Sequence, residues 1–459
     1  MRHKHRNKTS KLLSFIFLVP ALVLAQLPID SLSHPHRHAI IQTLGQDMSI
    51  WAFNSYVMNQ PWAKISLNTL ETNISNGWVW DEDEFNVNQI GHPSQGALVY
   101  LGARAHGLSL WQSMPYPFLG SLIWELGMET ESPSINDMIT TPLSGIAFGE
   151  MIHRLSILTL GPNPNASLTR QIAAGIMNPT GYGINRLLFG KVIHKNFAYK
   201  SLPLLGDIAF GGGPRFIKTN EESLFPRRFI KFNLAHGNPF DIDKEYAPFD
   251  FFTFTSVLNM SRTEYVGEIY SSGMLKKMYQ KNKRNYKTVL GLFQNYDFMN
   301  HDDYKVSSAS IGLNYLQFYR ISPQLNLRSQ IASSFIILGS AGDTSDETTG
   351  RDYHFGPGAS GKIMIKFTWM QHLGMYFQLK RYFIYAVDES KVTHYENINL
   401  LNSGFQIHLY KGLSLGGEYD VAGRKITTEE HDLEFLQSGN IYRLYFVYQF
   451  VNTLLTKNM

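Results

Sequence analysis

Beyond residue 25 no uninterrupted apolar run reaches the roughly 18–20 residues that a membrane-spanning helix requires, yet from about Leu204 to Phe450 apolar and polar side chains alternate. A period of two is the signature of strands with one apolar and one wet face. In Lys362–Trp369, Ile363, Ile365, Phe367 and Trp369 oppose Lys362, Lys366 and Thr368. In Ser403–Leu409, Phe405, Ile407 and Leu409 oppose Gly404, Gln406 and His408. In Leu413–Asp420, Leu413, Leu415 and Tyr419 oppose Ser414, Gly416, Glu418 and Asp420. A soluble sandwich alternates in the same way. Aromatic-rich strands, charged Gly/Asn/Asp-rich connectors and a last stripe of Tyr442, Leu444, Phe446, Tyr448 and Phe450 favour a barrel whose outer face meets lipid. About 250 residues at roughly 20 per strand and connection give about 12 strands, and bacterial barrels favour even numbers. Strand starts are expected near Leu204, Arg228, Phe249, Glu264, Tyr286, Lys305, Leu325, Tyr353, Leu373, Val392, Leu413 and Asn440.

Charged residues make up only 17% of the 459, below the roughly 25% of soluble domains, while 44% hydrophobic content excludes a disordered chain. There is no cysteine. That removes disulfides, thiolate-held zinc or iron–sulfur centres, a thiol nucleophile and an N-terminal lipidated cysteine. Arg2, Lys4, Arg6, Lys8 and Lys11 precede the apolar run Leu12–Ala25, which ends in Val23-Leu24-Ala25, so residues 1–25 read as a cleavable secretory signal. Removing those five cations takes the formal charge from +4 to −1, and the remaining chain makes no electrostatic case for nucleic acid. The expected organisation is a signal at 1–25, a helical domain at 26–200, a barrel at 201–450 and a tail at 451–459.

The first half has a different grammar. Gly96–His106, Phe118–Gly127, Leu143–Leu158 and Ser167–Met177 run 10 to 16 residues between Gly and Pro, which suits short packed helices. Ser94 and Ser134 are expected caps, and Thr141-Pro142 is expected to open a helix, where proline is tolerated. These helices would plug the barrel or form a periplasmic domain.

Gly77-Trp78-Val79-Trp80-Asp81, Phe85, Asn88-Gln89, His92-Pro93, Tyr100, Ala103-Arg104, Trp124-Glu125, Pro133-Ser134, Asn136-Asp137, Thr141-Pro142, Gly145 and Gly149-Glu150 together resemble the bacterial domain of unknown function 3943 family, over roughly Leu70 to Arg186. The resemblance implies a Gram-negative envelope protein, in the outer membrane, and no particular chemistry. Ser144 stands where the family pattern suggests a second glycine beside Gly145.

Several polar groups in this half need partners if buried. A paired structural network is the plainest expectation. For an enzyme, His92 would be the general base, with Glu125, Glu131 or Asp137 in acid–base roles. Ser113, Ser121 and Ser134 lack a nucleophile-elbow motif and read equally well as caps or small packing residues. Glu150 and His153, three apart, share a helix face as metal ligands do in di-iron bundles, but a second such pair is missing. Asp81-Glu82-Asp83-Glu84 reads as a solvated acidic turn rather than a calcium loop, and Trp78 and Trp80 beside it as interfacial anchors or core. Gly356–Lys362 imitates a phosphate loop, yet Ile363 replaces the magnesium-binding hydroxyl and the pattern continues as a strand. No cofactor is expected.

The first functional expectation is an outer-membrane barrel that binds or passes a small solute or lipid. Its lumen residues would include Arg328, Lys362, Lys366, Gln406, His408 and Glu418, and outer-membrane lipid and the barrel-assembly machinery would be its partners. The alternatives are a hydrolase or transferase acting on envelope lipid or polysaccharide, and a structural or assembly protein.

Overall fold

A computed structural model describes residues 34–161, 166–185, 204–218, 222–241, 246–260, 265–301, 304–342, 352–387, 394–428 and 435–451. The signal at 1–25 and nearly all of the tail lie outside the described residues. Two compact units form: a helical one, up to Asp81 and from Asn86 onward, and a barrel, which takes in residues 82–85.

The barrel has twelve strands, each antiparallel to its neighbours: β1 (Leu204–Lys218), β2 (Glu222–His236), β3 (Phe252–Asn259), β4 (Val266–Lys283), β5 (Tyr286–His301), β6 (Tyr304–Arg320), β7 (Leu325–Gly342), β8 (Tyr353–Trp369), β9 (Leu373–Tyr385), β10 (His394–Tyr410), β11 (Leu413–Thr428) and β12 (Phe435–Val451). Neighbours in sequence pair throughout, and β1 closes on β12 from Leu205↔Val451 to Ile217↔Gly439. Closure leaves no sheet edge unpaired, as a bilayer core requires.

The alternation has the expected physical meaning. On β8, Ile363, Phe367 and Trp369 are exposed outward while Lys362 and Met364 line an interior cavity. Phe405, Ile407 and Leu409 of β10 and Tyr442, Leu444, Phe446 and Tyr448 of β12 continue the exposed apolar face. In water such a surface would cost about 25 cal/mol per Å²; facing lipid it costs nothing. Tyr319, Trp369 and Tyr410, each at the last or next-to-last position of a strand on the short-turn side, are exposed and form the aromatic rim that membrane boundaries favour. Gly356–Lys362 lies within β8, as a strand and not a phosphate loop.

Short connections of two to four residues join β4–β5, β6–β7, β8–β9 and β10–β11 at one end. The β2–β3 connection at that end is longer and folds inward. Gly237, at φ 82°, turns the chain where a Cβ would strike the Asp250 carbonyl. Phe240, Tyr246 and Phe251 then pack against Met274, Val289, Phe293 and Leu316. Leu316 shares its face of β6 with the cavity-lining Asn314, and Phe293 shares its face of β5 with Asn295 and Asp297, so this loop crosses the lumen side of β4–β6. The Phe249 amide bonds the Met274 carbonyl at 2.7 Å, and Lys277 donates to the Asp241 carbonyl at 2.8 Å. A strand start near Phe249 was expected; β3 begins at Phe252 because the residues before it serve this inward fold.

The helical unit contains α1 (Pro35–Ala52), α2 (Leu67–Asn76), α3 (His92–Ala105), α4 (Leu110–Ser113), α5 (Pro115–Gly127), α6 (Ile135–Leu160) and α7 (Leu168–Met177), with π-helical turns at Phe53–Val57, Val87–Gly91 and Pro179–Ile184. No helix among the described residues is long and apolar enough to cross a membrane. Helices α3 and α6 approach closely through glycine: a Cβ on Gly145 would come within 2.7 Å of the Ala97 amide nitrogen. Two cap expectations are corrected. Ser94 lies inside α3 and returns its hydroxyl to the Ile90 carbonyl at 2.6 Å, because helical structure already begins at Val87. Pro142 sits inside α6 rather than at its start, since Ser134 caps that helix earlier, its hydroxyl accepting from the Asp137 amide at 3.2 Å. The residue expected to be a second glycine, Ser144, is buried in α6.

Candidate functional site

Two polar constellations arise, one in each unit. In the helical unit, residues 79–81 run beside residues 133–135: the Val79 amide donates to the Pro133 carbonyl at 2.9 Å and the Ile135 amide to the Val79 carbonyl at 2.8 Å. The Asp81 amide then donates to Asn136 Oδ1 at 3.0 Å. This strap brings Asp81 to the start of α6, where Asp137 faces His92 from the first turn of α3, with His92 Nε2 3.8 Å from Asp137 Oδ2. Glu125, near the end of α5, accepts from the Ser134 amide at 2.7 Å.

Three of the four sequence candidates for acid–base chemistry, His92, Glu125 and Asp137, therefore converge. Glu131 is exposed instead, and Glu129 enters the electrostatic neighbourhood of Glu125, His92 and Asp137. Glu129 lies just past the end of α5 at Gly127, so no helical spacing signalled it. Burial pushes the Glu125 carboxyl up to about 7, against the opposing pull of His92 and the Ser134 amide. Burial also raises Asp137 well above the carboxylate range, with His92 pulling the other way, and Glu129 rises through burial and the adjacent Glu125. One ligand atom from each of Asp81, His92 and Asp137 lies within 4.8 Å of the others, so these residues have positions that suit a divalent metal ion. Chemically the cluster can hold protons near neutral pH or a cation.

Ser121 donates to the Asp137 carbonyl at 3.1 Å and Ser134 caps α6, so both hydroxyls serve backbone; Ser113 is buried at the end of α4. The Glu150 and His153 pair does lie on α6. Glu150, however, is enclosed by Tyr100 Oη at 2.7 Å, Arg104 Nε at 2.8 Å and Arg154 Nε at 2.9 Å. Burial alone would raise its pKa, but the two arginines outweigh that and hold it at about 2. It is the anion of a buried ion-pair network, with both oxygens engaged.

The second constellation lies in the barrel lumen, around a cavity of about 320 Å³. Glu418 accepts from Lys231 at 2.6 Å and from the Tyr445 hydroxyl at 2.8 Å. Arg443 bridges Glu268, at 2.8 Å, and Asp420. Lys362 pairs with Asp297, which also accepts from the Tyr382 hydroxyl at 3.1 Å. Strand parity places all six expected lumen residues on the wet face: Lys362 lines the cavity itself; Lys366 and Arg328 share its side of β8 and that of Gln330 on β7; Gln406 and His408 share that of Asn402; Glu418 shares that of Asp420. The sequence reading missed Glu268 and Asp297, which sit on strands where the alternation is blurred by bulges or by buried faces, and it missed Arg443, whose inward direction was already implied by the alternating Tyr442 and Leu444 on either side of it.

A closed twelve-strand antiparallel barrel with an apolar outer face, an aromatic rim and a charged, hydrogen-bonded lumen defines an outer-membrane-type β-barrel, here carrying an N-terminal helical domain. Residues 77–180 match the family model described as "Domain of unknown function (DUF3943)", as the resemblance at those residues indicated. A comparison with curated proteins gives no match. Among solved structures, similarity extends to the NanC porin (8% identity, 52% of this chain and 98% of that one, TM-score 0.26). It extends also to an outer membrane channel from Pseudomonas putida F1 (9%, 56% and 98%, TM-score 0.29) and to the translocator domain of the autotransporter NalP from Neisseria meningitidis (10%, 56% and 90%, TM-score 0.25). Overlaps this slight carry no argument about function.

Proposed function

We propose that this is an exported outer-membrane protein whose barrel binds or passes a small solute, with the helical domain acting as the plug that governs entry. The observation that carries this reading is the lumen: alongside the inward-folded loop and a buried apolar cluster that includes Val306, Ile336, Ile384 and Ile398, it keeps a cavity of about 320 Å³ whose lining includes Lys231, Glu268, Asp297, Lys362, Asp420 and Arg443. A purely structural barrel gains nothing from burying Glu268, Asp297, Asp420 and their cations, whose desolvation is costly. Outer-membrane lipid would cover the apolar face, and the barrel-assembly machinery would insert it. Liposomes containing the refolded full chain should swell in isotonic solutions of small polar solutes and not of large ones, and removal of residues 26–200 should raise the rate. Absence of swelling with both forms would sink the passage reading.

A second reading has its own support. A carboxyl pushed to about 7 beside an imidazole is the arrangement that acid–base catalysis uses. The reaction class would be hydrolysis or transfer on envelope lipid or polysaccharide, with His92 as base and Glu125 or Asp137 as acid. Mass spectrometry of envelope lipids incubated with wild type and His92→Ala tests it. A product that depends on His92 would support the enzyme, and identical profiles would remove it for those lipids.

A further inference from the structure

The β4–β5 hairpin concentrates charge of one sign. Residues 276–287 hold Lys276, Lys277, Lys281, Lys283, Arg284 and Lys287 and no acid. Arg320, at the end of β6, adjoins their turn, its amide donating to the Asn285 carbonyl at 2.8 Å. The other short turns at this end, residues 321–324, 370–372 and 411–412, contain a single lysine, Lys411. Cations spread around the whole rim would be a general boundary feature, but here they gather on one hairpin.

The register divides them between the two faces. Lys277, across from Gly291, turns to the lumen side and bonds the Asp241 carbonyl, and Lys287, across from Phe318, shares that face. Lys276, Lys281 and Lys283 lie on the outer face. Lys283 stands across from Tyr286, and Tyr286 from Tyr319 of the aromatic rim; Lys276 stands across from Leu292, and Leu292 from the exposed Leu313. Between them runs a polar row on four adjacent strands: Lys281 across from Thr288, Thr288 from Gln317, and Gln317 from Ser329. On β8 the next position in that row is Ile365, so the apolar belt resumes there.

The neutral groups of this patch satisfy one another. Gln317 donates to the Tyr286 and Tyr315 hydroxyls at 3.1 and 3.2 Å and accepts from Ser329 at 2.8 Å, and the two tyrosine hydroxyls lie 3.3 Å apart. The cations lack such partners. Lys276, Lys281, Lys283, Arg284 and Arg320 are exposed, and among the described residues none of them has a carboxylate oxygen within 4.0 Å. A lipid-facing cation is costly in proportion to its depth. A lysine there lays its stem along the apolar surface and carries its ammonium to the headgroup level, where phosphate is the available anion.

We propose that the outer face at the β4–β5 hairpin is a binding site for one anionic phospholipid. Lys281 and Lys283 hold its phosphate, Arg284 and Arg320 add charge at the turn, and the Tyr286–Tyr315–Gln317–Ser329 network supports its glycerol. The short turns, the start of β1 and the end of β12 share one end of the barrel, the periplasmic end in outer-membrane barrels, where the leaflet is phospholipid. Five cations without an acid favour a headgroup of net negative charge over a zwitterionic one. The proposal rests on the reading of the chain as an outer-membrane barrel and is independent of whether the lumen passes a solute.

The test is native mass spectrometry of the refolded full chain in a nonionic detergent, titrated with phosphatidylglycerol and phosphatidylcholine. Phosphatidylglycerol should be retained and phosphatidylcholine should not. Lys281→Gln and Lys283→Gln should each weaken retention about fivefold, the worth of one cation near an anionic lipid, and the double variant about 25-fold. Lys281→Arg and Lys283→Arg should preserve it. Lys411→Gln, which removes a cation from another turn at the same end, should leave it unchanged. Equal retention of the two lipids, or undiminished retention in the double Gln variant, would overturn the site. An equal loss in Lys411→Gln would overturn it as diffuse attraction by the rim, and displacement by millimolar inorganic phosphate would overturn the lipid as its occupant. Flotation of wild type and variants with phosphatidylcholine vesicles reads insertion separately. Failure of the wild type to float would sink the barrel reading, whereas flotation without lipid preference would sink the lipid site alone.

Discussion

Asp47 lies on α1 with no exposed surface, and a Cβ added at Gly120 would stand 3.3 Å from its carboxylate. Burial pushes its pKa from 3.8 up to about 8, with Gln95 opposing weakly. The folded state therefore keeps a proton that the unfolded chain releases above pH 3.8. With the native state holding more protons, stability falls as pH rises from about 4 to about 8 and levels off beyond. The slope from this residue is about 1.4 kcal/mol per pH unit, and the whole shift amounts to at most about 6 kcal/mol, roughly halved once water entry and local relaxation are allowed. Asp47→Asn removes the titration and keeps the shape. Six of the seven tryptophans, Trp51, Trp62, Trp78, Trp80, Trp111 and Trp124, precede the barrel, so fluorescence-detected urea unfolding of the full chain in detergent reports the helical unit. The stability difference, variant minus wild type, should grow in favour of the variant between pH 5 and 8 and then stay constant. Contributions from Glu125, Glu129 and Asp137 cancel in that difference. A pH-independent difference would refute a protonated, buried Asp47.

Glu150→Gln leaves Arg104 and Arg154 without their countercharge and should cost about 3–5 kcal/mol in the same assay. Because the Glu150 carboxyl is held near 2, the stability it lends is present above about pH 4.5 and is lost as the pH falls through 2, opposite in sense to Asp47. Gly145→Ala drives a methyl group against the Gly96–Ala97 backbone and should cost about 1–3 kcal/mol. Gly127→Ala, where nothing lies within 4 Å of the added Cβ, should have no comparable effect. Unfolding midpoints of the two variants check this.

Much of the barrel was legible because lipid on one side and water on the other impose a period of two on strands such as β8, β10, β11 and β12. Expected starts at Leu204, Tyr286, Leu325, Tyr353, Leu373 and Leu413 coincide with those of β1, β5, β7, β8, β9 and β11. Phe249 misled because an aromatic-rich loop that packs on the lumen side has the composition of a strand without its alternation. Pro142 misled for a related reason: proline marks helix starts on average, but in α6 the cap at Ser134 precedes it. In the helical unit the right residue types were visible and their partners were not. Glu125, His92 and Asp137 meet because α3, α5 and α6 pack together, α3 against α6 at Gly96 and Gly145, and these are long-range contacts with no local signal. The same holds for Glu150, whose arginine Arg104 comes from another helix.

The most direct test of a lipid-facing barrel with a wet lumen uses β8, in a chain whose lack of cysteine makes every introduced thiol unique. Single cysteines from Lys362 to Trp369, spin-labelled in the full chain reconstituted in bilayers, would be scanned for accessibility to oxygen and to an aqueous nickel reagent. The structure predicts strict alternation, with oxygen reaching positions 363, 365, 367 and 369 and nickel reaching 362, 364, 366 and 368. Uniform aqueous accessibility, or a period near 3.6, would contradict it.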